Sequence, residues 1–348
     1  MKKSLMIAAV LLLGTPAAGA ADFMDWLKSH TPATAGKKEV PADAAALLTL
    51  EPGQNEMYPR VSPDSKSFLA VVSSRQVNEV SRRVLENGDP LNDVSDDVHA
   101  PDSFGWHGND EVSFLSTRAG SLGLWTKPAD GQGALRRAIA LHGNLTQVTL
   151  LADGSMIGVR LLSEGKPVPR TSDDFDNWDI PNQHAQVVRI SADGAERMLS
   201  DGINPAVSPD GQWVAFSMEA GRSRHLFLMR IDGSELMQLT DDRCIDVQPA
   251  WTPDGKRIVF ASNRADADMR DPEKGNWDIW SIGRDGRDLL RLTMDPARDG
   301  APSVATGNRV LFHSDRKIDK ETQAAHQVKG GTAGFHIWNI VLPSTASK

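Results

Sequence analysis

Arg75, Arg118, Arg264 and Arg316 occupy matching positions in a pattern that recurs along the chain, and acidic side chains recur in the stretches between, with Asp102, Asp246 and Asp299 chief among them. Tyr58 stands at the corresponding place in the first such stretch. A guanidinium presents a planar fork of N–H donors that suits a carboxylate. Two chemistries follow. Arginine and aspartate can neutralise each other and fix neighbouring parts of the fold, or stand apart around an opening as a mixed-charge rim for a polar peptide or a carboxylate-bearing ligand. Taken as a rim, Tyr58, Arg75, Asp102, Arg118, Asp246, Arg264, Asp299 and Arg316 are the partner-binding residues.

A second chemistry is oxygen ligation. Two irregular insertions are acidic, one with Asp173, Asp174, Asp176 and Asp179, the other with Asp266, Asp268, Asp271 and Glu273. Either offers enough hard oxygen for a calcium ion, with Asp266, Asp268 and Asp271 the ligands of the second. Neither has the glycine that an EF-hand loop carries at its sixth position, and solvated charge is the competing reading. Trp178 and Trp277 adjoin these insertions and are candidate exposed anchors. The 9 histidines are scattered without an H-E-x-x-H pair, and neither a Walker loop nor a dinucleotide fingerprint occurs. With Cys244 the only cysteine, an internal disulfide and a multi-cysteine metal site are both excluded. Its expected state is a buried thiol rather than a nucleophile.

The elements that must hold these residues are legible as a repeat. PAVSPDGQWVAFSM from 205 runs parallel to PAWTPDGKRIVFAS from 249, and HLFLMRIDGSELMQLT from 225 to WDIWSIGRDGRDLLRLT from 277. Each block reads as four short strands separated by Pro-Asp-Gly and Asp-Gly turns and ending in Leu-Thr. First-turn equivalents begin at Ser62, His107, Leu151, Ser208, Thr252 and Ala305, which makes six units. Second-turn equivalents occur at Asn87-Gly88, Asp130-Gly131, Asp193-Gly194, Asp232-Gly233 and Asp285-Gly286, which makes five. The sixth unit stops after FHIWNIVL at 335–342, and Leu47-Leu48-Thr49-Leu50 carries the missing Leu-Thr signature. A strand lent by the N-terminal side to the last unit removes two exposed sheet edges. The fold expected is therefore all-β, a closed six-bladed β-propeller whose N-terminal strand completes the last blade. Blade limits fall near 51–98, 99–140, 141–200, 201–240, 241–293, and 294–342 with 47–50. Trp125, Phe227, Trp280 and Trp338 fall on equivalent third strands and Trp106 and Trp251 on first strands, all expected in packing between blades.

Composition agrees. Of 348 residues, 29 are Gly and 20 Pro, a turn-rich content that suits short strands, and a formal charge of −8 argues against nucleic-acid or anionic-membrane binding. Residues 1–20 read as a secretory signal, with Lys2 and Lys3, an apolar run from Leu5 to Leu13 and Ala18-Gly19-Ala20. A periplasmic location follows, with no transmembrane segment after cleavage. Residues 21–46 read as a mobile arm in which Phe23, Trp26 and Leu27 cluster, 47–342 as the propeller and 343–348 as a tail.

The SPDG and TPDG turns, SNR at 262–264, WDIW at 277–280, and QLT or RLT after an Asp-Gly turn closely resemble the TolB-type, WD40-like propeller repeat. The resemblance is strongest in blades 4 and 5. It implies a non-catalytic scaffold, monomeric, that binds an envelope protein or peptide at the channel mouth and needs no cofactor beyond an optional calcium. The sequence departs from that family's namesake in having only residues 21–46 where an α/β domain is expected. The repeat is also similar to that of prolyl oligopeptidase-like enzymes, but no G-x-S-x-G elbow is present. It is similar too to that of oligogalacturonate lyases, whose metal is bound by histidine. That likeness makes a metal-dependent polysaccharide lyase the enzyme alternative, for which His313, His326 and His336 are the late histidines, at a spacing that does not match a clustered ligand set.

Overall fold

The computed structural model describes residues 43–343 apart from 75, 76, 96, 163–183, 268–275, 327, 329 and 330. Among the described residues the strands form six antiparallel sheets of four strands each. Five sheets use consecutive strands, and the sixth takes its outermost strand from the first of the described strands, Ala46–Leu47. The molecule is a six-bladed β-propeller.

The first strand of each blade lies innermost: Asn55–Val61, Phe104–His107, Leu145–Leu150, Ile203–Val207, Asp246–Trp251 and Asp299–Val304. Second strands such as Arg257–Ser262 and Arg309–Ser314 are buried almost throughout. A sheet buried on both faces favours runs of β-branched and aromatic residues over strict alternation. Apolar layers fill the wedges between blades. Trp213, Leu226 and Leu228 of blade 4 meet Trp251, Ile258 and Phe260 of blade 5, and Phe68 and Ala70 of blade 1 meet Leu48, Leu311 and Ile337 of blade 6.

The turns are fixed by their own side chains. Ser62, Ser208 and Thr252 each donate a hydroxyl hydrogen bond to the aspartate two residues on, at 2.7, 2.5 and 2.7 Å. Gly211 and Gly255 then take φ of 70° and 66°, a conformation natural to glycine, and in SPDS Ser65 adopts 55° in the same place.

The seam lies in blade 6. Ala46–Leu47 pairs with His336–Val341, Ala46 opposite Asn339 and Leu47 opposite Trp338. Leu48 and Thr49 continue the contact by donating their backbone N–H groups to Ile337 O at 2.8 and 3.2 Å. The pairing starts one residue earlier than the expected Leu47–Leu50. Residues 43–46, assigned to the arm by composition, are part of the propeller, because Ala46 is a ladder residue and Asp43 is held by Arg316. The signal, the rest of the arm and residues 344–348 lie outside the described residues.

Candidate functional site

The recurring arginines fold back onto their own blades. Arg118 lies over Phe114 and Trp125, Arg264 over Phe260 and Trp280, and Arg316 over Phe312 and Trp338, with guanidinium-to-ring distances of 5.3–5.8 Å. Each ring pair joins a second strand to a third, so the cation stacks where two aromatic side chains already meet. Each guanidinium then turns to an acid. Arg264 Nη2 donates to Asp246 Oδ2 at 2.7 Å, Arg316 donates to Asp299 at 2.6 and 3.2 Å, and Arg118 Nε donates to Asp97 Oδ2 at 3.0 Å. Arg316 also holds Asp43 through two bonds of 2.6 and 3.0 Å.

These acids are junction pieces between blades. Asp246 Oδ1 accepts from Ser262 Oγ of its own blade at 2.6 Å, and Oδ2 accepts from Thr240 Oγ1 of the preceding blade at 2.7 Å. Burial works against ionisation of Asp246, but the donors around it, Arg264 included, hold its carboxyl below the ordinary range. The Leu-Thr signature now has a physical reason. Thr240, Thr293 and Thr49 each accept a backbone N–H from the third strand of their own blade, from Leu226, Ile279 and Ile337 at 2.9, 2.8 and 3.3 Å.

The rim expectation is therefore corrected for four of its residues. Asp246, Asp299, Arg264 and Arg316 are buried and spent on blade packing, because aromatic stacking draws each arginine inward to its acid. Arg118 is bound to Asp97 near the surface, and Arg75 lies outside the described residues. Tyr58 and Asp102 do line the central channel. Trp178, Asp268 and Asp271 are outside the described residues, whereas Asp266 is exposed in a turn closed to Asn263 O at 3.1 Å. Trp277 is fully buried rather than an exposed anchor.

The channel is a cavity of about 320 Å3 walled by the first strands of all six blades. Five of those strands carry a β-bulge in which one residue turns left-handed: Tyr58, Gln147, Asn204, Gln248 and Ala301, with φ of 47–54°. A non-glycine residue in that region is strained unless its surroundings hold it there. Here the backbone N–H of each is taken by a side chain of the neighbouring blade. Gln147 N donates to Ser103 Oγ at 2.8 Å, Asn204 N to Gln147 Oε1 at 2.6 Å, Gln248 N to Asn204 Oδ1 at 3.3 Å and Ala301 N to Gln248 Oε1 at 2.7 Å. Alanine cannot continue the relay, and His313 replaces it by accepting from Tyr58 N through Nδ1 at 3.2 Å. The result is a belt of side chains linking blades 2 to 6 and back to 1.

The belt orients what faces the lumen. Each carboxamide oxygen is committed to a backbone N–H, so the NH2 group of Gln147, Asn204 and Gln248 points away from that bond. Among the described residues none of these NH2 groups has a protein acceptor, and Gln147 Nε2 is buried. Arg60 supplies the charge. Among the described residues its guanidinium makes one hydrogen bond, from Nη1 to Pro59 O at 3.1 Å, and lies over Phe104 at 5.9 Å; burial pulls its pKa below the ordinary value, and Asp102 acts in the opposite direction. Asp102 Oδ1 is engaged by Thr146 Oγ1 at 3.0 Å and Ser103 Oγ at 3.3 Å.

The groups suited to catalysis are placed differently. Burial pushes His313 down to about 3, with Arg60 and Arg298 adding to the effect. His336 faces Glu56 at 3.1 Å, and His326 follows the short helix Lys320–Ala325 at the surface. Burial, with Asp246 beside it, pushes the Cys244 thiol up to about 12, the opposite of what a nucleophile requires. Among the described residues one grouping, His225, Cys244 and Asp246, has donor atoms close enough to share an ion. Both oxygens of Asp246 already accept two hydrogen bonds each, and the Arg264 cation occupies the same pocket. That arrangement suits an anchor rather than a metal centre.

A family model described as the TolB β-propeller domain matches residues 189–268, from the third strand of blade 3 into blade 5. Dipeptidyl-peptidase 5 of Porphyromonas gingivalis is 39% identical over 64 residues, which cover 17% of this chain and 9% of that protein. The Tol-Pal system protein TolB of Francisella tularensis is 24% identical over 113 residues, 32% of this chain and 24% of that protein. The chain thus spans about a quarter or less of the curated relatives it matches. Among solved structures, TolB from Acinetobacter baumannii aligns with a TM-score of 0.53 at 16% identity, over 72% of this chain and 57% of that one. Oligogalacturonate lyase from Vibrio parahaemolyticus aligns at 0.51 and 13% identity, over 87% of this chain and 96% of that one. At such identities the structural likenesses concern the fold. The repeated turns and the six four-stranded blades agree with the matched segment, so the chain is a six-bladed propeller carrying TolB-like β-propeller repeats, with the family match itself confined to residues 189–268.

Proposed function

We propose that this propeller is a non-catalytic binding module, exported to the cell envelope, whose protein or peptide partner is held in and over the central channel. The observation that carries the reading is the lumen itself, where a rigid belt leaves the donors of Gln147, Asn204, Gln248 and Arg60 uncommitted. A fixed set of polar groups in a concave site selects a ligand at little ordering cost. The candidate chemical groups are committed elsewhere: Cys244 as a buried thiol, His313 as an acceptor and Asp246 as a junction.

The test is affinity capture from envelope extracts with identification of the retained protein, repeated with Ala250→Arg, which fills the lumen from the fifth blade. Capture by the parent and its loss in the variant are expected. Equal recovery by both overturns the reading. So does about one transition metal per chain in elemental analysis that disappears with His313→Ala, the outcome a metal-dependent lyase requires.

A further inference from the structure

We infer that the channel recognises a carboxylate carried on a peptide, with the guanidinium of Arg60 taking the carboxylate and the amide NH2 groups of Gln147, Asn204 and Gln248 taking carbonyl oxygens of the chain behind it. The inference rests on the binding-module reading and names what that site selects.

The donor balance of the lumen is the first ground. Three carboxamides whose oxygens are all turned to backbone N–H groups present only hydrogen-bond donors to the cavity. Gln147 is 6% exposed, and its Nε2 has no partner. A buried donor left unmade carries a desolvation cost that an incoming acceptor relieves.

The second ground is charge. Among the described residues Arg60 has Nε and Nη2 free of protein hydrogen bonds and makes no ion pair within the channel. Those two N–H groups form the edge that grips a carboxylate bidentately. The other charged group lining the same cavity is Asp102, held by the hydroxyls of Ser103 beside it and of Thr146 on the next blade. His313, which also faces Arg60, is neutral because its pKa lies near 3. A lumen with one cation and one anion favours a singly charged carboxylate over a phosphate dianion, which Asp102 repels. Ala301 stands where the other blades carry a carboxamide, so the amide donors are confined to blades 3, 4 and 5 and the lumen is asymmetric about the channel axis.

The probes are N-acetyl-dialanine, its C-terminal amide and inorganic phosphate, titrated calorimetrically into the full mature chain. The free acid is expected to bind about tenfold or more tightly than the amide, since a charge-assisted pair is lost. Arg60→Gln should abolish that preference. Gln147→Glu keeps the oxygen that accepts from Asn204 N and exchanges the lumen-facing donor for negative charge, so the belt survives while the acid binds about tenfold more weakly or worse. Asp102→Asn keeps an acceptor for Thr146 and should tighten the acid severalfold. Gln248→Glu replaces Gln147→Glu if the latter does not fold. Equal binding of acid and amide, unchanged binding in Arg60→Gln, or phosphate binding as tightly as the acid overturns the inference. The two readings separate cleanly. Selective acid binding with unaltered capture by Ala250→Arg removes the partner reading and keeps the carboxylate site, and the converse pattern removes the carboxylate site alone.

Discussion

Asp246 and Arg264 were candidates for contact with a partner and turn out to hold two blades together. An isolated charge left in that pocket has no water to stabilise it. Asp246→Ala and Arg264→Ala are therefore each expected to lose about 3 kcal/mol or more in urea unfolding, because each strands the other charge. A loss under about 1 kcal/mol would show that the pair is solvated. A neighbouring junction is built differently. The residue that precedes the Thr-bonded N–H is His225 between blades 4 and 5 and His336 between blades 6 and 1, each facing the next blade's acid. Between blades 5 and 6 it is Asp278, which faces Asp299. Burial raises Asp278 to about 7, opposed by Arg291 and reinforced by Asp299, and burial raises Asp299 to about 6 against the pull of Arg316. Both folded values lie above the ordinary 3.8, so the folded state retains protons that the unfolded chain releases. This contribution to stability is present in full below about pH 4 and is lost as the pH rises toward 7. Asp278→Asn should flatten the fall in Tm between pH 5 and 8 relative to the parent. An unchanged slope would refute the assignment.

At the scale of strands and turns, the sequence shows what recurs with the same residue types. Ser/Thr-Pro-Asp closes a turn within two residues and Leu-Thr bonds the third strand of its own blade, so these types recur at fixed spacing in the blades that carry them. The channel belt recurs in geometry but not in type, with Tyr58, Gln147, Asn204, Gln248 and Ala301 at equivalent places. Its partners are dozens of residues apart along the chain, and no local pattern joins them. One trace was available. Pro59, Pro205 and Pro249 each stand four residues before the proline of the first turn, and Pro302 occupies the like place in blade 6. A proline inside an innermost strand points to a bulge. The arginines were legible as a set, but whether each reached the lumen depended on aromatic rings of two other strands. First-strand tryptophans fulfil the packing expectation and add a bond: Trp106 Nε1 donates to Arg60 O at 2.8 Å and Trp251 Nε1 to Ala206 O at 2.9 Å, each on the preceding blade. Trp251→Phe removes one such donor and leaves a half-buried carbonyl beside the channel, which should cost about 1 kcal/mol in urea unfolding. Thr240→Val should cost a similar amount, since it unmakes both Leu226 N and an oxygen of Asp246.

For the molecule as a whole, closure of the ring depends on a short stretch that joins the first described residues to the last strand. Asp43 accepts from Arg316 and from Met294 N at 2.8 Å, Leu48 is buried against Phe68 and Ile337, and Thr49 caps the ladder. A chain starting at residue 51 is expected to melt lower and less sharply than one starting at residue 21, as the edge of blade 6 is uncovered. Equally cooperative melting at the same temperature would contradict closure by this strand. The direction of the pairing has a mechanical consequence. Because Ala46 opposes Asn339 in an antiparallel ladder, the chain enters the seam beside the point where it leaves after Val341. Tension drawn between these two ends loads the seam's hydrogen bonds in sequence, peeling them one at a time instead of shearing them together. Pulled in that way the ring parts first at blade 6, while the remaining five sheets, whose hairpins lie out of the line of force, stay whole.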